Sequence, residues 1–390
     1  MHVPPHVVDV IPFKERYSVT TAGAIALCVD QLAGVSKATT TVFGTAVTDP
    51  LKAARLRPVR PFFFTTRLAA AYVMGWEALF YFEGVRRALR AAKPDVIQVH
   101  NRPLLAVMLQ KEFPEIPVFL FLHNDPMSMK ELRPPKNIGG SLHRLAGIVA
   151  LSDWIEQRLY EAAPAVPREL VHRIPNVVDC AAAAETDEAI FAAKEKLALF
   201  VGRINGGKGA TAFAEAAARV LPDFPDWKAV AIGAFQIGTT DCSHPSDYQR
   251  AFLAAVASHP NIAFLGPRPF PETMDWMRRA AILAIPSRHA EAFARVAVEG
   301  MMNGDALIVC KKGGALPEVA PEASGALHID DATVDEIAAA LRLLMADDAD
   351  RLARARQGRA YAASHYAPAA VAALIEDMYA AGKAALKAKR

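Results

Sequence analysis

Short apolar runs with strand character alternate with alanine-rich helical stretches along most of this chain, and that rhythm constrains the fold most. In the first half, His6 to Ile11, Thr39 to Phe43, Val96 to Val99, Val118 to Leu122 and Gly147 to Ala150 read as strands, each bounded by Pro, Gly or polar residues. In the second half, Leu197 to Val201, Lys228 to Ile232, Ile262 to Leu265, Ala281 to Ile285 and Ala306 to Val309 repeat the pattern. Strands separated by helix-length segments pair in parallel, with the helices covering both faces of the sheet. Two doubly wound units in tandem explain the repeat better than one large sheet, and 390 residues suffice for two cores. The break is expected between Ile174-Pro175-Asn176 and Lys194, giving a first domain over 1–180 and a second over 181–365. Tyr366 to Arg390 reads as a helix pair, one member started by Pro368, expected to pack back towards the first domain. Its basic tail, Lys383, Lys387, Lys389 and Arg390, complements a helix dipole.

Composition narrows the partners. An apolar fraction of 53% with 44 basic against 41 acidic residues fits a globular, water-soluble fold, and a net charge of +3 is too weak to argue for nucleic acid. The cysteines, Cys28, Cys180, Cys242 and Cys310, have no metal-ligand spacing, which suits a reducing compartment. No apolar run reaches the roughly 18 residues of a membrane span, and the N-terminus lacks a signal-peptide pattern. The expectation is a cytoplasmic protein.

Two segments carry chemistry. PSRHAEAFARVAVEG, Pro286 to Gly300, follows one strand-like run and precedes another, and it holds Glu291 and Glu299 with seven residues between them. A carboxylate in the loop and another two turns into the helix can face one crevice at a strand's carboxyl end, where ligands bind in open α/β sheets. Carboxylate oxygens accept hydrogen bonds from vicinal hydroxyls, so a sugar or a ribose suits this pair. The second segment, Val201 to Gly209, is a glycine-rich turn between a strand and a helix, with Arg203 and Lys208 at its mouth. Backbone N–H groups, the helix dipole and two cations make a diphosphate clamp. From Gly202 to Lys208 the run nearly matches a P-loop, but Gly209 stands where the metal-binding hydroxyl should be, and the nucleoside-triphosphatase reading loses its ligand.

In this order and context the residues resemble the retaining glycosyltransferases of family 4. PSRHAEAFARVAVEGM is similar to that family's E-x7-E segment, LFVGRINGGKGA to its donor-diphosphate strand and loop, and IPNVVD to the close of its first domain. KKGGALPEV, Lys311 to Val319, resembles the block after the E-x7-E helix; VIQVHNRP and FLHND resemble histidine-bearing strand ends on the acceptor side. The resemblance covers nearly the whole chain. It implies the GT-B fold: two Rossmann-like, doubly wound parallel-sheet domains facing a central cleft.

The implied function is metal-independent, retaining transfer of a hexose-class sugar from a nucleotide sugar to a glycan or lipid-linked acceptor, in cell-surface polysaccharide or glycoconjugate synthesis, with no cofactor. The residues it implicates in catalysis are His123, beside the sugar, with Glu291, Arg203 and Lys208. The implied donor-binding set is Gly23, Gly202, Arg203, Lys208, Arg268, Glu291, Ala292, Phe293, Ala294, Arg295 and Glu299. His100, Asn101 and Arg102 fall on the acceptor side, although His100 could equally order the loop around Asn101 and Arg102. The family has glycines where this chain has Ala292 and Ala294, so the backbone there is expected to stay within conformations alanine tolerates. Arg295 is either a further cation near the phosphates or a partner for a neighbouring acid. The alternatives are a non-catalytic nucleotide-sugar-binding or scaffold protein, or another GT-B activity such as a phosphorylase or an epimerase.

One patch stands apart. Arg55, Arg57, Arg60, Phe62, Phe63, Phe64 and Arg67 interleave cations with aromatics ahead of Trp76, Phe80, Tyr81 and Phe82, and Arg86, Arg87 and Arg90 follow. Such a patch can dock peripherally on the anionic inner face of a membrane, or its aromatics can be core with the arginines solvated.

Overall fold

The computed structural model describes residues 4–62, 76–134, 137–178, 186–235 and 243–388. The chain divides into two compact units, Met1–Val177 with Pro368–Arg390, and Val178–Ala367.

The first unit holds a wholly parallel sheet of β1 (His6–Val10), β2 (Thr39–Gly44), β3 (Arg55–Pro58), β4 (Val96–His100), β5 (Val118–Leu122), β6 (Gly147–Ala150) and β7 (Val171–Arg173), in the order β3-β2-β1-β4-β5-β6-β7. The second holds β8 (Leu197–Val201), β9 (Lys228–Ile232), β10 (Ile262–Phe264), β11 (Ile282–Ile285), β12 (Ala306–Cys310) and β13 (Leu327–Ile329), in the order β10-β9-β8-β11-β12-β13. Each order reverses once, between β1 and β4 and between β8 and β11, and at such a switch point the crossover helices diverge and leave a crevice. Central strands are buried on both faces, so they read as unbroken apolar runs: VFLFL in β5 and ALIVC in β12 are buried throughout.

The three strands absent from the sequence reading, β3, β7 and β13, all lie at sheet edges. Edge strands are short, charged or proline-bearing, which hides their pattern; β3 is Arg-Leu-Arg-Pro, with both arginines exposed. Part of the basic–aromatic patch is therefore a sheet edge. Its aromatics divide: Tyr81 and Phe82 are core, Trp76 is 55% exposed, and the Arg87 guanidinium lies 3.6 Å from the Phe62 ring centre. Phe63, Phe64 and Arg67 lie outside the described residues.

Cores form around Tyr17, Val29 and Val42 in the first unit and around Trp227, Phe213, Phe252 and Ile282 in the second. Cys28 and Cys310 are buried and unbridged; Cys180 and Cys242 lie outside the described residues. The expected helix pair after Tyr366 is one helix, Pro368–Ala388, preceded by a separate helix Asp348–His365. Pro368 starts it because a first-turn residue has no intrahelical N–H bond to lose. Its Tyr379 hydroxyl accepts a hydrogen bond from Gln98 on β4. Among the described residues no helix is long and apolar enough to cross a membrane.

Candidate functional site

The two segments singled out in the second half meet at the β8/β11 switch point. Beyond β8 the turn is tight: Lys208 N–H donates to Asn205 Oδ1 at 3.0 Å, and Gly209 enters the helix Ala210–Val220 with φ +76°. A Cβ on Gly209 would lie 2.3 Å from the Pro286 carbonyl oxygen. The departure from the P-loop pattern thus has a steric cause, since no side chain fits there. The loop after β11 is tied to this turn, with Arg288 N–H and His289 N–H both donating to Gly207 O at 2.8 Å.

That joint brings Lys208 Nζ into an ion pair with Glu291 Oε1, both side chains largely covered. Glu291 Oε1 also accepts from Ser287 Oγ at 2.8 Å. The backbone of Glu291 is fixed from the other side: its N–H donates to Gly313 O at 3.0 Å and its carbonyl accepts from Ala315 N–H at 2.8 Å. A Cβ at Gly314, φ +66°, would collide with that backbone at 2.7 Å. The glycine pair after β12 therefore lets the chain press against Glu291.

Two turns on, Glu299 is buried and pairs with Arg295 at 3.0 Å, which answers for Arg295 in favour of a neighbouring acid. The helix Arg295–Asn303 starts at Ala294 with φ +52° and ψ +58°, and no side chain caps it. This corrects one expectation. Ala292 keeps a negative φ, but Ala294 adopts the left-handed conformation that a glycine takes freely and alanine takes at a cost. The Phe293 ring is buried edge-on against Tyr366, 5.5 Å between centres, so only its backbone is left for a ligand.

The other predicted donor residues are less converged. Gly202 directly follows β8, its N–H donating to Ile232 O at 3.0 Å, and Arg203 beside it is half-buried. Arg268 is exposed and paired with Glu272 at 2.9 Å, and no contact ties it to the Lys208–Glu291 pair. In the first unit, Gly23 precedes the helix Ala24–Val35, but Glu15 already occupies that helix start. Its carboxylate accepts from Ala26 N–H at 3.2 Å, and its Oε1 sits 2.4 Å from where a Cβ on Gly23 would be. Burial, more than these bonds offset, pushes the Glu15 carboxyl above its ordinary value.

At the carboxyl end of the first sheet, His100 does not serve the Asn101–Arg102 loop as one alternative had it. Its ring bonds to His123 and to Asp9, each at 2.9 Å. Asn101, φ +54°, is the residue that orders the loop, its Oδ1 accepting from His123 N–H at 2.7 Å and Asn124 N–H at 3.2 Å. Arg102 is exposed and donates to the Asn101 carbonyl at 2.9 Å.

Sequence reasoning missed Ser287, Glu15 and Asp9. Asp9 left a trace, as an acid inside an otherwise apolar strand buried on both faces; Ser287 lay inside the quoted motif without a signal of its own. Among the described residues no group of three or more His, Cys, Asp or Glu side chains is arranged to hold a metal ion.

Parallel sheets of 3-2-1-4-5-6 type in both units, with paired charges at the second switch point, define a two-domain protein of the GT-B class. The sequence profile "Glycosyltransferase Family 4" matches residues 36–182, and "Glycosyl transferases group 1" matches residues 184–361. The chain belongs to this family of glycosyltransferases. It is 26% identical to spore coat protein SA of Bacillus subtilis, over 64% of this chain and 68% of that one. It is 32% identical to D-inositol 3-phosphate glycosyltransferase of Thermobispora bispora, over 48% of this chain but only 43% of that protein's length. Anabaena Alr3699/HepE, solved with UDP and glucose, superposes with a TM-score of 0.71 at 17% identity, covering 96% of this chain and 99% of its own. At that identity the likeness speaks for the fold.

Proposed function

We propose that this chain is a retaining, metal-independent glycosyltransferase that takes a sugar from a nucleotide diphosphate sugar bound by its second unit. The acceptor would be a glycan or lipid-linked molecule on the first unit, in cell-surface polysaccharide or glycoconjugate synthesis. The Lys208–Glu291 contact carries this reading, because it joins a diphosphate-type cation and a hydroxyl-type carboxylate from two loops at one switch point. Donor binding exchanges partners: Lys208 turns to the diphosphate, and Glu291, still held by Ser287, accepts hydrogen bonds from the sugar hydroxyls. Glu299, steadied by Arg295, takes the ribose hydroxyls by the same chemistry.

In the transfer step the bond from the anomeric carbon to the diphosphate oxygen breaks and an acceptor hydroxyl oxygen bonds to that carbon on the same face. The acceptor proton leaves with the diphosphate. Lys208 and Arg203 neutralise the charge that grows on the departing group. The known complex of Alr3699/HepE with UDP and glucose makes UDP-glucose the first donor to try. Thermal shift against UDP-, GDP- and ADP-sugars identifies the donor, since a ligand of the folded state raises the melting temperature. With that donor, slow release of the nucleoside diphosphate is expected, and Glu291→Ala or Lys208→Ala should lower it at least about 100-fold. Unchanged turnover in both variants would show that the site lies elsewhere.

A membrane-side acceptor rests on a separate observation, the exposed Trp76 beside a strip bearing Arg55, Arg57 and Arg60. Phe62 N–H donates to Phe80 O at 2.9 Å, which lays this strip along the helix Trp76–Ala92. Cosedimentation with anionic vesicles should be lost when the three arginines become Glu. A wild type that stays in the supernatant would remove the membrane from the reading.

A further inference from the structure

Three side chains at the carboxyl end of the first sheet form one hydrogen-bonded row. Asp9, on β1, lies 2.9 Å through Oδ1 from His100 Nε2, and His100 Nδ1, at the end of β4, lies 2.9 Å from His123 Nε2, just past β5. Asp9 is 3% exposed and His100 1%, while His123 is only half-buried. The row therefore runs from the core towards the crevice at the β1/β4 switch point.

The proton inventory follows from the atoms. An ionised carboxylate only accepts, so His100 donates to Asp9 from Nε2. Neutral His100 then has its lone pair on Nδ1, and His123 must donate to it from Nε2. The lone pair of His123 is thereby assigned to Nδ1. If Nδ1 takes up a proton, the Nε2 proton of His123 can pass to His100 Nδ1, which places the imidazolium against the Asp9 carboxylate. The geometry around the row is held tightly. Asn101 Oδ1 fixes the His123 backbone, and the Phe121 ring flanks both imidazoles, 5.0 Å from His100 and 6.2 Å from His123 between centres. Among the described residues, Glu15 faces His100, and Tyr17 and Tyr379 face Asp9.

We propose that Asp9 and His100 are positioning residues that fix the tautomer of His123, so that it presents Nδ1 as an acceptor to the acceptor hydroxyl and holds that proton transiently before it leaves with the diphosphate. This rests on the assignment of His123 to the transfer site. A buried Asp–His pair that served only the core would need no second imidazole aligned on it and half open to solvent.

The test uses histidine-labelled full-length protein and long-range nitrogen–proton spectra, together with steady-state transfer. In the wild type near pH 8, both His100 and His123 should appear as the Nε2–H tautomer. Asp9→Asn should convert His123 to a mixed or Nδ1–H tautomer and lower kcat about 100-fold, in the range of one general acid–base contribution. Donor KM should stay within about twofold, and the acid limb of the kcat–pH profile should move down by about one unit, as loss of a neighbouring opposite charge requires. His100→Gln should reproduce the tautomer change.

A folded Asp9→Asn protein with wild-type tautomer and pH profile would overturn the proposal. If that variant does not fold, an Nδ1–H tautomer for His123 in the wild type overturns it equally well. His123→Ala separates the two layers. Unimpaired transfer in that variant removes His123 from the reaction, whatever the spectra show. Loss of transfer there, with Asp9→Asn and His100→Gln fully active, leaves the reaction assignment standing and removes only the row.

Discussion

The two switch points are built on the same strand order and hold different chemistry. At β8/β11 the polar groups are full charges in pairs, Lys208 with Glu291 and Arg295 with Glu299, on backbone shaped by Gly209 and Gly314. At β1/β4 they form a row of one carboxylate and two imidazoles, with an asparagine fixing the loop. Paired charges suit a ligand that brings charge of its own, since a diphosphate can displace the carboxylate from the lysine. A row of imidazoles suits a neutral hydroxyl, whose demand is for a proton acceptor of fixed orientation. The fold supplies two crevices on the same strand order, and the side chains at the strand ends give them different chemistry.

The comparison assigns meaning to charge by its place, so a pair at the other end of the same sheet should behave in the opposite way. Lys194 and Asp305 stand just before β8 and β12, 2.6 Å apart, with the aspartate fully buried. Burial pushes the Asp305 carboxyl up to about 7 and the Lys194 amine below its ordinary value. Lys194→Met should cost about 3–5 kcal/mol of stability in urea unfolding near pH 8, because it strands a buried charge, while the remaining folded protein binds donor normally. A carboxyl raised by burial contributes stability that is complete below its unfolded value near 4 and lost as pH rises through its folded value. The deficit of the variant should therefore shrink from pH 8 towards pH 5. Lys194→Met with Asp305→Leu should return to within about 1 kcal/mol of wild type. Donor affinity that fell in Lys194→Met as far as stability did would break the comparison.

Lys208→Ala should do the reverse. Loss of this cation is expected to reduce turnover about 10²–10³-fold, while Glu291 keeps its hydrogen bond from Ser287, so the unfolding midpoint should fall far less than in Lys194→Met. Gly209→Ser restores the P-loop letter but not its chemistry. The new side chain meets the Pro286 carbonyl in a backbone conformation of φ +76°, so about 1–3 kcal/mol of stability should be lost with no gain of triphosphatase activity. Magnesium-dependent nucleotide hydrolysis by this variant would show that the steric account is wrong.

What the sequence disclosed and concealed follows from burial. The central strands were legible because a strand covered on both faces must be apolar along its length, as in β5 and β12, and the edge strand β10 was legible because its Ile262-Ala263-Phe264 is apolar too. The edge strands β3, β7 and β13 escaped because an edge faces water and carries arginine, histidine or proline. Glu291 and Glu299 were legible because their spacing sets one in the loop after β11 and the other in the helix that follows it. Which cation closes on which acid was not, since Lys208 and Glu291 lie 83 positions apart and meet only through the loop joint at Gly207. Asp9 could have been found, as an acid in a strand with no water to face.

The finest distinction between the two crevices lies in a single backbone angle. Asn101 has φ +54° and Ala294 has φ +52°, one at each switch point. Left-handed backbone costs an ordinary residue about 1–2 kcal/mol through the clash of Cβ with the following carbonyl. Asparagine is among the few side chains that offset this by local hydrogen bonding, and Asn101 Oδ1 accepts from two backbone N–H groups. Alanine has nothing to offer in return. The same substitution should then act with opposite sign at the two sites. Ala294→Gly should raise stability by about 0.5–1 kcal/mol, because relief of strain outweighs the extra freedom of glycine in the unfolded chain. Asn101→Gly should lower it by about 1–3 kcal/mol, because two part-buried hydrogen bonds lose their acceptor. Urea unfolding of both variants at one pH reads the signs directly. A stabilised Asn101→Gly would show that the asparagine is retained for the ligand and not for the loop, and the first crevice would then be the more strained of the two.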